Sequence, residues 1–144
     1  MRNEHFTYKE IVSQTEAWSQ AMDVICATSL PNAIKYEQVL LTGCGSTYYL
    51  SMAAASLYQE LTGRAARAVP GGELLFNPQT VLIEKRDGIP PHTLLFAISR
   101  SGTTTETVKP VEKFRADKQG DVIVISNYDA ALSKLGNINI IIPK

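Results

Sequence analysis

The sequence has little with which to staple, anchor or steer itself. Its two cysteines, Cys26 and Cys44, stand far apart without C-x-x-C spacing, which speaks against a disulfide framework or a zinc site. Two free thiols fit a reducing compartment, and the expected location is the cytoplasm. No charge of either sign is in excess, since 14 Lys and Arg balance 14 Asp and Glu. Binders of nucleic acid or of membrane surfaces draw their attraction from such an excess, so neither partner is expected and any anion recognition must be local. No apolar run approaches the roughly 20 residues of a membrane span. The opening MRNEHFTYKEIVSQ is polar and carries acids, unlike a signal peptide. The catalytic signatures with fixed spacing are missing too. There is no G-K-[ST] of a P-loop and no G-x-S-x-G elbow, and in GCGSTY Tyr48 stands where G-x-G-x-x-G needs its third glycine. No His/Cys/Asp cluster points to a metal, and no cofactor is expected.

What is present is a regular alternation of elements. At 144 residues, the chain fits one domain, able to bury roughly 68–70% of its unfolded surface. Apolar residues at helical spacing predict a helix over 8–29, with Thr7 as cap, Glu10 three residues on and Pro31 beyond its end. A short helical stretch is expected at 32–36. Short apolar runs at 38–42, 65–69, 93–98, 121–126 and 138–142 read as strands. Helices are expected over 47–61, closed by Gly63, over 104–118, and over 130–135, stopped by Gly136. Pro110 is tolerable if the 104–118 helix begins near Thr107, placing the proline in its first turn. The prolines near 85–91 predict an exposed loop. Continuously apolar strands alternating with helices give a parallel sheet covered on both faces, an α/β fold. Ligands of such sheets bind beyond the carboxyl ends of the strands, near a topological switch point.

Three strand ends carry small polar residues: GCGSTYY at 43–49, SRSGTT at 99–104 and SNYD at 126–129. In a doubly wound sheet the first two lie side by side. Together they offer Ser46, Thr47, Ser99, Ser101, Thr103 and Thr104, with the free N–H groups of two helix N-termini. A phosphate dianion needs many short donors converging on one point, and hydroxyls and backbone N–H groups supply them without bulk. Gly45 and Gly102 let the backbone come close. The dipole contributes about 0.3–1 kcal/mol, rising to ~2 when partly buried. Each charge-assisted hydrogen bond contributes about 1.5–3 kcal/mol, so the donors outweigh the dipole. Arg100 either adds a fork of donors or serves a partner subunit. The plainer alternative is that these Ser and Thr residues are helix caps. Cys44 is either an activated thiol or a small buried residue, the second being favoured. His5 and His92 lie outside the loops. The stripe Tyr48, Tyr49, Met52, Leu57 reads as packing, and Glu106 and Glu112 as solvent-facing.

The pair GCGSTYY (43–49) and AISRSGTTTETV (97–108), with PGGELLFNP between them, resembles the SIS (sugar isomerase) domain. The likeness is to the isomerase half of glucosamine-6-phosphate synthase and to related two-module phosphosugar isomerases and deaminases. The segment EIVSQTEAW resembles their helical lead-in. The resemblance implies a five-stranded parallel sheet in a three-layer αβα sandwich, flavodoxin-like and doubly wound. It implies lead-in helices over 1–36 and a SIS domain over 37–144, the first of two. It maps the phosphate-loop hydroxyls onto Ser99, Ser101 and Thr104, with Gly102 and Arg100 between them, and the first-loop donors onto Ser46 and Thr47. Gly45 and Glu73 match positions that contact sugar or a neighbouring subunit, and for Glu73 a structural role is an equal alternative.

The departures from the family are expected to matter. Set beside the family, the sequence is expected to lack the G-P-E loop and second domain that follow the fifth strand there, and the glutamine-hydrolysing domain of the full synthase. The family's proton-moving carboxylate and ring-opening histidine come from the later parts, so no catalytic residue is assigned here. The expected protein is the N-terminal half of a phosphosugar aldose–ketose isomerase, aminosugar-6-phosphate deaminase or isomerising aminotransferase, from a truncated form or a split gene. Its expected ligand is a hexose 6-phosphate or amino-hexose 6-phosphate. The alternative is a non-catalytic phosphosugar-sensing module. Because such modules pair, a homodimer or pairing with a second SIS module is expected, through the apolar face around Trp18 and Met22.

Overall fold

The apolar runs become strands, and the central ones are buried on both sides. In the computed structural model, which describes residues 4–83 and 92–143, the strands are β1 (Gln38–Gly43), β2 (Arg67–Pro70), β3 (Thr93–Ile98), β4 (Gly120–Ser126) and β5 (Ile138–Ile141). They form one all-parallel sheet in the order β2-β1-β3-β4-β5. Six helices accompany them among the described residues: α1 (Glu4–Val12), α2 (Gln14–Ala27), α3 (Ser46–Thr62), α4 (Gly71–Phe76), α5 (Pro78–Val81) and α6 (Thr105–Ala116). Successive strand residues point to opposite faces, and each face has its own core. Leu40, Leu95, Val122 and Val124 pack with Leu74 of α4, Val81 of α5, and Val111 and Phe114 of α6. Val39, Leu41, Leu94 and Ile123 pack with Ala55 of α3 and, at the margin, Val24 of α2. Burying each large side chain contributes about 1.5–3 kcal/mol, and the result is a three-layer αβα sandwich.

The strand order reverses direction between β1 and β3. The chain leaves β1 into α3 on one face and β3 into α6 on the other, so a crevice opens where the two helices diverge. β1 and β3 run in register from Gln38↔Thr93 to Thr42↔Ala97. Beyond the last pair the two polar loops, which include Cys44 and Ser99, line one cavity at the crevice.

Several boundaries differ from the sequence expectation. The helix expected over 8–29 is two helices. Ser13 interrupts them with φ −80 and ψ −4, its hydroxyl donating to the Glu10 carbonyl at 3.2 Å. Because α1 begins at Glu4, Thr7 lies inside a helix and caps nothing. β2 starts at Arg67 rather than at 65, and the helix expected over 130–135 is a 3₁₀ turn, Leu132–Leu135. The exposed loop expected near 85–91 lies outside the described residues. Pro110 is not in the first turn of α6 but buried inside it. Its missing N–H leaves the Glu106 carbonyl without its helical partner, and Gly71 backs directly onto that carbonyl, so a Cβ at Gly71 would overlap Glu106 O. The proline and the glycine together let α4 and α6 meet closely.

At the other end of the strands from the crevice, Asp121 Oδ2 accepts from the Tyr36 hydroxyl at 2.8 Å and lies 3.0 Å from His92 Nε2. The Tyr36 and His92 rings are 4.8 Å apart. Burial, then the bond to Asp121 and its charge, pushes the Tyr36 hydroxyl from 10.0 up to about 12. Burial pushes the Asp121 carboxyl up, but hydrogen bonds from His92 and Tyr36 and the charges of His92 and Arg115 outweigh it and hold it below 3.8. A lowered carboxyl pKa gives stability that is full above 3.8 and is lost as pH falls through the folded value. The raised Tyr36 value gives stability that is full below pH 10.0 and lost on the way to about 12. Urea midpoints of wild type and Asp121→Asn are therefore expected to converge as pH falls below 3.8. A difference that stays constant from neutral pH into that range would show that this carboxylate carries none of the acid sensitivity.

Candidate functional site

Only Cys44 and Gly45 separate β1 from α3. Gly43 is packed so tightly that a Cβ would lie 2.6 Å from Thr47 Oγ1. Gly45, at φ 58 and ψ −124, adopts a backbone that only glycine holds without strain. The Thr47 hydroxyl closes the turn by accepting from Cys44 N–H at 3.0 Å and donating to the Cys44 carbonyl at 2.9 Å. Its single proton is therefore committed, and Thr47 shapes this loop more than it offers a donor. Ser46, at the exposed first position of α3, lies beside it, and no side chain caps α3.

The loop after β3 is built differently. Ser99 N–H donates to Ile125 O at 3.0 Å and Asn127 N–H to Arg100 O at 3.1 Å, extending the β3–β4 ladder into the loop. Gly102 then turns at φ 65. The Ser99 hydroxyl, 2% exposed, accepts from Gly102 N–H at 3.2 Å and donates to Thr104 Oγ1 at 3.4 Å. Ser101 Oγ lies 3.4 Å from Thr104 Oγ1 and accepts from both N–H and hydroxyl of Thr103, at 3.2 and 3.1 Å. Hydroxyl–hydroxyl bonds are usually about 2.7–2.8 Å. At 3.4 Å the Thr104 hydroxyl is held in place by weak contacts that a better acceptor displaces.

The two loops face each other across a cavity of about 530 Å³, within the usual range of roughly 300–1,000 Å³ for small-molecule sites. Ser46, Thr47, Ser99, Arg100, Ser101 and Thr104 all line it, together with Cys44 and Tyr128. Of the sequence candidates, Gly45 and Gly102 form its turns. Glu73 stands apart on α4, in an ion pair with Arg67 at 2.9 Å. Arg100 is the one charged residue among the described residues lining the cavity, which makes it locally positive in a chain of zero net charge. Among the described residues, no group of three or more His, Cys, Asp and Glu side chains is placed to hold a metal ion.

Three features escaped the sequence reading. Cys44 is exposed within the cavity rather than buried. The stripe Tyr49, Met52, Leu57 is exposed on α3 rather than packed. Tyr128 belongs to the site, and its only signal was its place in SNYD at the end of a strand. His92 is exposed as expected, Glu106 faces solvent, and Glu112 is also at the surface, paired with Lys109 at 2.7 Å.

The cap alternative is answered by Thr104. It occupies the N-cap position of α6, yet makes no side-chain cap bond. Its hydroxyl turns towards Ser99 and Ser101 at the cavity wall. Two uncapped helix N-termini, converging hydroxyls and one guanidinium form an arrangement suited to an oxyanion.

The SIS domain family model matches residues 34–144. Glutamine–fructose-6-phosphate aminotransferase (isomerizing) from Pyrococcus horikoshii is 28% identical over 133 residues, covering 90% of this chain and 21% of that protein. The structure of tagatose-6-phosphate ketose/aldose isomerase from Escherichia coli superposes with a TM-score of 0.75 at 23% identity, covering 94% of this chain and 39% of that one. The C-terminal domain of glucosamine-fructose-6-phosphate aminotransferase from Francisella tularensis gives a TM-score of 0.74 at 22% identity, over 98% and 40% of the two chains. The chain thus spans about a fifth of the length of the curated relative.

Proposed function

Because the chain belongs to the SIS domain family, we propose that the cavity at the β1–β3 crevice binds the phosphoryl group of a hexose 6-phosphate or amino-hexose 6-phosphate. The observation that carries this reading is the orientation of Thr104, a cap residue whose hydroxyl faces the cavity instead of its helix. Ser46, Ser99, Ser101 and Thr104 supply hydroxyls, the starts of α3 and α6 supply N–H groups, Gly102 makes the turn between them with its N–H held by Ser99, and Arg100 supplies charge. The names of the relatives, which act on fructose 6-phosphate or tagatose 6-phosphate, support a six-carbon sugar ester. In the complete enzyme such a domain holds the phosphate so that a base reaches the proton α to the carbonyl, as in aldose–ketose isomerisation or in the related deaminase and aminotransferase reactions.

No carboxylate or imidazole is among the described residues that line the cavity. On this reading the chain therefore binds and positions the ester, with the base that moves the proton supplied from elsewhere. Calorimetric titration with fructose 6-phosphate and glucosamine 6-phosphate is expected to show saturable binding, with no turnover in a steady-state assay. Failure of both sugars to bind would overturn the phosphate site. Turnover by the purified chain would reveal a catalytic group and exclude the purely sensing alternative, which the same bare lining favours.

The α1–α2 face, with Trp18 at 64% exposure and Met22 at 58%, supports association with a second copy or a second SIS module. Light scattering of the titration samples as a strict monomer would count against it. Exposed free thiols at Cys26 and Cys44 fit the reducing cytoplasm.

A further inference from the structure

Phosphate recognition uses one side of the cavity and leaves the other without a role. The hydroxyls and Arg100 come from the loops after β1 and β3, but Tyr128 comes from the loop after β4. It is the one aromatic residue among the described residues lining the cavity, and it is 42% exposed. A phosphoryl group alone does not fill a cavity of about 530 Å³. Whatever carries that group must occupy the rest.

The position of Tyr128 is fixed relative to the phosphate loop. Its carbonyl accepts from the Ser126 hydroxyl at 2.9 Å and from the Ser133 hydroxyl at 3.5 Å. The same carbonyl packs against Gly102, where a Cβ would lie 3.3 Å from Tyr128 O and 3.1 Å from Ala130 Cβ. Leu132 N–H donates to Gly102 O at 2.9 Å, a second tie between the two loops. The separation between the hydroxyl cluster and the residue bearing the phenol is therefore set by direct backbone contacts. A tyrosine offers a large apolar face at a low cost in side-chain entropy, having two χ angles to order. The C–H groups on one face of a sugar skeleton form a matching apolar surface.

Resting on the phosphate reading of this cavity, we propose that Tyr128 is the specificity-determining residue of the site. It holds the carbon skeleton of a phosphorylated sugar at a set distance from the loops that hold its phosphoryl group. The β4 loop thus separates sugar phosphates from inorganic phosphate and from short phosphate esters.

The test is a titration of wild type, Tyr128→Ala and Tyr128→Phe with inorganic phosphate and with fructose 6-phosphate. Wild type is expected to prefer the sugar ester. Tyr128→Ala is expected to lose about tenfold of its affinity for fructose 6-phosphate and less than about twofold of its affinity for phosphate. Tyr128→Phe, which keeps the aromatic face, is expected to stay within about threefold of wild type for both. Retained phosphate binding reports that the alanine variant is folded. A parallel loss of both ligands, or no loss of either, overturns the role of Tyr128 and leaves the phosphate site standing. A wild-type chain that prefers phosphate or binds the two equally does the same. A wild-type chain that binds neither ligand overturns the phosphate site, and this proposal with it.

Discussion

Removing the Ser101 and Thr104 hydroxyls together, as Ser101→Ala with Thr104→Ala, is expected to weaken fructose 6-phosphate binding by about a hundredfold, or ~2.7 kcal/mol. Each charge-assisted hydrogen bond contributes about 1.5–3 kcal/mol, and the two hydroxyls share one ligand, so their losses do not simply add. Thermal stability is expected to change little. Thr104 makes no cap bond to α6, and its contacts to Ser99 and Ser101 are long, at 3.4 Å each. The comparison of affinity with melting temperature is what separates the two roles these residues can have. A structural cap lost at Thr104 would lower stability by ~1 kcal/mol and leave binding to the fraction that stays folded. Calorimetry on the double variant that shows less than about a threefold loss of affinity would remove the hydroxyl cluster from the site.

The same contrast explains what could be read from the sequence. The central strands were legible because both faces are buried and few positions are polar, as in TLLFAI of β3, whereas the edge strands β2 and β5 each carry an exposed polar residue, Arg67 and Asn139. The end of α3 was legible because Gly63, at φ 66, is a local signal that needs no partner. The hydroxyl loops were legible as chemistry because five hydroxyls within seven residues, 99–105, exceed what capping requires. Features that depend on distant residues were not. Pro110 inside α6 is one, because nothing near it in sequence shows that Gly71 faces the Glu106 carbonyl. The break at Ser13 was invisible because the backbone bonds Ser13 N–H to Lys9 O and Ala17 N–H to Ser13 O carry helical spacing across it. Tyr128 carried only the weak signal of its place in SNYD at a strand end. It joins the site only because β4 lies next to β3 in the sheet, which brings 128 beside 102.

Gly43→Ala is expected to destabilise the folded state and the first loop together. A Cβ at this position would lie 2.6 Å from Thr47 Oγ1, 2.7 Å from Thr47 C and 2.9 Å from Thr47 O. Two of these three atoms are backbone in the first turn of α3, so no rotamer change relieves the contact. Either α3 moves away from the end of β1 or the strand end bends. The first breaks the reciprocal bonds between Thr47 and Cys44, and the second disturbs the pairing of Gly43 with Pro70. Overpacking of this kind costs about 1–3 kcal/mol, occasionally more, which for a chain of this size lowers the melting temperature by roughly 3–10 °C. Sugar-phosphate binding is expected to fall with it, because the turn that presents Ser46 and the start of α3 is held by the same contacts. Gly72→Ala is the matched control. Its Cβ meets nothing within 4 Å, and in the helix α4 alanine is favoured over glycine by about 0.5–1 kcal/mol. Urea denaturation of the two variants decides the matter. If Gly43→Ala is as stable as Gly72→Ala and still binds ligand, the close approach of β1 to α3 is not what fixes the geometry of the first loop.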